Sequence, residues 1–248
     1  MPPPRGFPNN PVEGPGDYDV TTTVHSDTYP AIDSAKANLS GKAVFITGAS
    51  KGLGLAISVA FAKAGASYLA IGARSDLSAT EKAIQDAANA VGKPGPKVLP
   101  LKFDLTSLES VNEAAAAVKK EFGRCDIVIN NAGVLTRGTI IDSDPEEWWS
   151  TWTVNLRGPY YVAKAFLPLL LQSDLKTIVT VSSVGAHCYG PGLSAYQPSK
   201  LAVLRFAEFI AAEYGEQGVI SFCIHPGNIP TDIVGGKEGL SEALRPSA

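Results

Sequence analysis

Tyr196 and Lys200 stand four residues apart in the run Tyr196-Gln197-Pro198-Ser199-Lys200. On a helix that spacing puts both side chains on one face, a turn apart. A free phenol has a pKa of about 10, too high for easy proton exchange at neutrality. A neighbouring ammonium favours the phenolate and brings that value down. Tyr196 is therefore a candidate general acid or base. Pro198 fits only in the first turn of such a helix, where a missing N–H does no harm. The chain has eight tyrosines, so the pair taken alone reads equally as a surface contact.

A second feature lies far upstream. The run Thr47-Gly48-Ala49-Ser50-Lys51-Gly52-Leu53-Gly54 follows a short apolar stretch and precedes a helical pattern. A strand entering glycines at a helix start forms an anion site, because backbone N–H groups and the positive helix end face the ligand. The spacing is Gly-x3-Gly-x-Gly, not the commoner Gly-x-Gly-x2-Gly fingerprint. Alone, it reads either as a phosphate cradle or as a turn serving strand–helix packing.

The elements that would position these groups alternate along the chain. Candidate strands are 43–47, 67–72, 97–103, 126–130, 177–182 and 219–225. They are apolar almost throughout, as expected of strands covered on both faces. Helical patterns fill 53–64, 78–91, 107–122, 145–172 and 197–214. The fourth has a clear start: Asp144 can cap it, Pro145 takes the first helical position and Glu147 completes a box. Alternating β and α elements with short connections predict a parallel sheet with helices on both faces. Asp104, Asn131 and Gly133, Ser182 and Ser183, and Pro226-Gly227 then fall at the carboxyl ends of strands, where such sheets bind ligands.

The bulk properties agree. The chain has 248 residues, enough for one α/β domain, and its apolar share is 45%. A net charge of −3 without basic runs gives no sign of a nucleic-acid or anionic-membrane partner. No stretch of apolar residues is long enough to span a bilayer. Cys125, Cys188 and Cys223 are dispersed and odd in number, which argues against a disulfide framework and fits a cytoplasmic setting. His25, His187 and His225 have no metal-like spacing. Residues 1–38 read as an irregular Pro/Gly-rich tail lying against a domain of residues 39–248.

Together these features resemble the short-chain dehydrogenase/reductase family over about residues 40–231. The resemblance implies a single-domain Rossmann fold, a doubly wound parallel sheet of order 3-2-1-4-5-6. It implies Tyr196 as the acid/base, with Lys200 holding the nicotinamide ribose and lowering the phenol pKa. Ser183 would bind the substrate oxygen, with Ser182 the weaker alternative, and Asn155 would position a proton-relaying water. The cofactor would lie on Gly48, Ser50, Lys51, Gly52, Leu53 and Gly54. Asp104 would face the adenine, Asn131 and Gly133 the adenosine side, and Pro226, Gly227, Ile229 and Thr231 the carboxamide.

The second strand ends in Ile71-Gly72-Ala73-Arg74, with no acidic residue there to hold the ribose hydroxyls of NAD. Arg74 offers a guanidinium suited to a 2′-phosphate, and Lys51 adds a second charge. The expected cofactor is NADP(H), although Asp76 stands close enough to neutralise Arg74. The expected substrate is a small carbonyl compound or alcohol. The alternative is an NADP-binding regulatory or inactive member of the family. Trp148 and Trp152 share a helix face and read either as core or as part of a contact between copies through helices 145–172 and 197–214. Only seventeen residues follow Thr231. In that family a further helix and a seventh strand usually follow, so the resemblance implies that the seventh strand is missing, and with it part of the substrate lid. The apolar run Val219–Ile224 would then be an open edge prone to self-association.

Overall fold

The computed structural model describes residues 28–236 and residue 238. Six strands form one parallel sheet: β1 Ala43–Thr47, β2 Tyr68–Ala73, β3 Lys97–Lys102, β4 Ile127–Asn130, β5 Thr177–Val181 and β6 Ile220–Ile224. The order is β3-β2-β1-β4-β5-β6, the doubly wound arrangement expected from the sequence. The helices are α1 Gly52–Lys63, α2 Ser78–Ala90, α3 Leu108–Phe122, α4 Pro145–Trp152, α5 Gly158–Leu170 and α6 Tyr196–Tyr214.

Side chains alternate across β1, and each set meets a different helical layer. Val44 and Ile46 pack with Ile71, Ala62 and Ile84 beneath α1 and α2. Phe45 turns the other way and stacks on Phe166 of α5 at 4.4 Å between ring centroids. Val111 and Val118 of α3 and Ile210 of α6 close that second core.

Two expectations are corrected. The helix read over 145–172 is divided, because a π-turn at Thr153–Arg157 separates α4 from α5. Pro159 has no N–H to continue the regular ladder. A Cβ on Gly158 would overlap the Leu105 side chain, so glycine lets this bend press on the core. The start is as expected, with Asp144 Oδ1 accepting from the Glu147 N–H at 2.9 Å. The edge strands, moreover, are not covered on both faces. On β6, Ile220, Phe222 and Ile224 all lie on one exposed side. β3 is half open, but exposed Lys97, Pro100 and Lys102 guard it.

No seventh strand occurs among the described residues. Most of the predicted tail lies outside them, and its described part makes one short turn at Ser34–Lys36.

Candidate active site

The carboxyl ends of the strands open into a cavity of about 1010 Å³. At one end α1 starts directly behind the glycine turn. Its N-cap, Lys51, supplies no capping side chain, which leaves the first N–H groups of the helix free of that partner. Gly48 and Gly52 adopt φ of 68° and 55°, the left-handed region that favours glycine. A Cβ on Gly48 would sit 2.9 Å from Ala132 Cα, and one on Gly54 would overlap the Gly48 carbonyl oxygen. Gly54 does not line the cavity; it lets α1 close onto the turn.

Thr47 and Asn131 hold this turn against β4. Thr47 Oγ1 accepts from the N–H groups of Asn131 and Ala132, each at 3.1 Å. Asn131 Nδ2 donates to the carbonyls of Thr47 and Gly48 at 2.9 and 3.1 Å. Asn131 thus lines the cavity with its amide spent on the glycine turn. The uncapped helix start, the glycine cradle and the cavity size fit the pyrophosphate and nucleosides of a dinucleotide.

Beside it, Arg74 is exposed on the cavity wall. Among the described residues no ion pair joins it to Asp76, whose carboxylate accepts from the Ser78 N–H and Oγ at the start of α2. Asp104 feels Arg74. Its carboxyl is held below the usual range first by hydrogen bonds from the Thr106 N–H and hydroxyl, with a smaller contribution from Arg74. Lys51 pairs with Asp232 across the cleft at 2.7 Å, and both side chains are about three-quarters exposed (73% and 75%).

At the other end Tyr196 opens α6, with Pro198 in its first turn as required. Burial pushes the phenol pKa up, and a hydrogen bond from Ser183 pulls part of it back. The net shift is upward despite the neighbouring Lys200. Its Nζ is 5.7 Å from the Tyr196 ring centroid and donates to the Val181 carbonyl at 2.9 Å. Burial depresses the Lys200 pKa to about 8. Ser182 and Ser183 both line the cavity, but the Ser182 hydroxyl is spent on the Lys200 carbonyl at 2.9 Å.

Asn155 sits in the π-turn and is 1% exposed, behind the cavity wall. Its Oδ1 accepts from the Val134 N–H at 3.0 Å; its Nδ2 donates to the Val134 carbonyl at 2.9 Å and to Ser199 Oγ at 3.0 Å. The side-chain amide therefore ties the end of β4 to α6. A Cβ on Gly133 would lie 3.4 Å from both Asn155 Oδ1 and Lys200 Nζ, so this glycine leaves the room that the three groups share.

Pro226, Gly227, Ile229 and Thr231 form the facing wall. Asp232 and the contacts of Thr47, Ser199 and His225 escaped the sequence reading, since each acts through a contact that no spacing records. Trp148 is resolved as an anchor: its Nε1 donates to Ser194 Oγ at 3.2 Å and its ring stacks on Trp152. Among the described residues all three cysteines are free, none of the His, Cys, Asp and Glu groups could hold a metal, and no helix is long and apolar enough to cross a membrane.

The fold and these residues define a nicotinamide-dependent oxidoreductase of the Rossmann type. The chain belongs to the short-chain dehydrogenase family, whose model, described as short chain dehydrogenase, matches residues 42–239. It is 61% identical to the short chain dehydrogenase pigC of Monascus ruber, over 98% of this chain and 80% of that one. It is 53% identical to the short chain dehydrogenase tazN of Aspergillus terreus, over 97% of this chain but only 52% of the relative. A crystal structure of a short-chain type dehydrogenase/reductase from Mycobacterium marinum superposes with a TM-score of 0.70 at 31% identity. That match covers 80% of this chain and 77% of the other.

Proposed function

We propose that the chain transfers a hydride between NADP(H) and the carbonyl or alcohol carbon of a small molecule, with Tyr196 as general acid/base. One observation carries this: Ser183, Tyr196 and buried Lys200 line the same cavity, with Ser183 close enough to the phenol to lower its pKa. The nicotinamide, when bound, supplies or receives the hydride. Ser183 and Tyr196 bind the substrate oxygen, and Tyr196 gives it a proton in the reducing direction and takes one back in the other. Burial keeps the phenol protonated at neutral pH, which suits reduction.

Lys200 holds the ribose, and Asn155 fixes the β4 end beneath it. Gly48, Ser50, Lys51, Gly52 and Leu53 take the pyrophosphate, with Gly54 closing the helix onto them. Asp104, Asn131 and Gly133 serve the adenosine side, and the 226–231 wall serves the carboxamide. The NADP preference is supported by exposed Arg74 and by Asp76 being engaged with Ser78. The setting is a reducing cytoplasm, in line with three free cysteines. Copies associate through α5 and α6, where Tyr160, Leu201 and Phe209 are exposed.

The test is NADPH consumption over a panel of aldehydes, ketones and quinones, with tight NADPH binding measured in parallel. Turnover of at least one carbonyl supports the proposal. Binding without turnover across the panel contradicts it.

A further inference from the structure

We propose that His225 is a positioning residue for Ser183, and hence for the substrate oxygen. The proposal rests on the carbonyl–alcohol reading of the cavity. β5 and β6 run in register up to Val181 and Ile224, and the Ser182 N–H donates to the Ile224 carbonyl at 2.9 Å. Two residues past Ser182 and one past Ile224, the Val184 N–H donates to His225 Nδ1 at 3.2 Å. Beyond this tie the two chains part. One becomes the Ser183 turn, and the other passes through Pro226 and Gly227 into the facing wall of the cavity. His225 thus joins the two walls where they diverge.

The local chemistry explains why a side chain is needed there. Val184–Ala186 is a single 3-10 turn, and the first N–H groups of a helix have no partner inside it. Ser183 Oγ accepts the Gly185 N–H at 3.0 Å. That oxygen must also face Tyr196 and the substrate, so the place of the turn matters. His225 takes the Val184 N–H, the other donor at the start of the turn, and so fixes the backbone that carries Ser183 against the end of β6. Nδ1 accepts only when it carries no proton, so the imidazole acts as the neutral ring with its proton on Nε2. Burial lowers the His225 pKa and favours that neutral form. Asn can replace this function because its Oδ1 reaches close to the place of Nδ1; Leu fills the space and accepts nothing.

The test compares His225→Leu and His225→Asn with wild type, using a carbonyl substrate that the panel identifies. Three quantities are read: KM and kcat for the carbonyl, Kd for NADPH, and the exchange rate of the Val184 amide. In His225→Leu, KM is expected to rise and Val184 exchange to quicken by about tenfold each, the scale of one lost hydrogen bond. NADPH affinity should stay near that of wild type, and His225→Asn should recover both losses. Unchanged Val184 exchange in His225→Leu would overturn the proposal. So would an Asn variant as impaired as the Leu variant, or an NADPH affinity that falls as far as the carbonyl KM rises. If wild type turns over no carbonyl, the activity reading fails by itself, while Val184 exchange in the two variants still decides the role of His225.

Discussion

Lys200 Nζ donates to the Val181 carbonyl at 2.9 Å, so the ammonium of α6 is anchored to the end of β5 rather than to the neighbouring phenol. Two physical effects follow. The Tyr196 phenol is pushed up by burial and drawn partly back by Ser183, and the lysine is depressed to about 8 by its own desolvation.

That depression has a signature in stability. An unfolded lysine holds its proton up to about 10.5, whereas Lys200 in the fold releases it above about 8. Between these values the unfolded state binds more protons, so this group makes stability rise with pH across the window. Cys125 and Cys223, pushed up to about 12 and 11, act in the opposite sense above about 9. Denaturation at several pH values, comparing Lys200→Met with its parent in a Cys223→Ser background, isolates the lysine. The parent should gain about 3 kcal/mol relative to the variant from pH 8 to pH 10.5. A flat difference would contradict the buried, depressed lysine.

Cofactor choice is expected to rest on Arg74. Lys51 is already paired with Asp232, although an exposed pair of this kind is weak. Arg74→Ala should weaken NADPH by about tenfold and leave NADH nearly unchanged, as loss of a charge-assisted contact to phosphate would. Titration of both cofactors decides this; equal losses for the two would remove Arg74 from the 2′-phosphate.

Gly54→Ala should damage the cofactor end although Gly54 itself does not line the cavity. The added methyl would overlap the Gly48 carbonyl oxygen and sit 2.6 Å from Asn131 Nδ2. Backbone must move, and overpacking of this kind costs about 1–3 kcal/mol. Both Tm and NADPH affinity should fall, as read by a thermal melt and a binding titration. A variant matching wild type in both would mean that the glycine turn is looser than its geometry indicates.

The exposed side of β6 gives a surface prediction. Ile220, Phe222 and Ile224 are 56%, 44% and 36% exposed along one strand. Apolar edges of this kind pair with other chains. Phe222→Lys should remove self-association beyond the α5–α6 contact, seen as a shift to smaller species in size-exclusion chromatography. Unchanged elution of an associating wild type would place the contact elsewhere.

The alternation of strands and helices and the glycine turn were legible because strand patterning and glycine spacing are local in sequence; the strand order came only with the family resemblance. The π-turn was partly legible: Gly158-Pro159 marks a break, yet the continuous apolar stripe of 145–172 hides it. The pairing of Asn155 with Val134, and of His225 with Val184, joins segments 21 and 41 residues apart. The direction of the Tyr196 shift was misread for a similar reason. A four-residue spacing reports a shared face, but the Val181 carbonyl that claims the lysine is nineteen residues upstream.

The most direct measurement is single-turnover and steady-state reduction by Tyr196→Phe, beside its affinity for NADPH. The substitution removes one hydroxyl and keeps the buried ring. The expected outcome is a kcat lower by about 10²–10⁴-fold, with NADPH affinity nearly intact. A variant that keeps wild-type kcat would contradict Tyr196 as the proton donor.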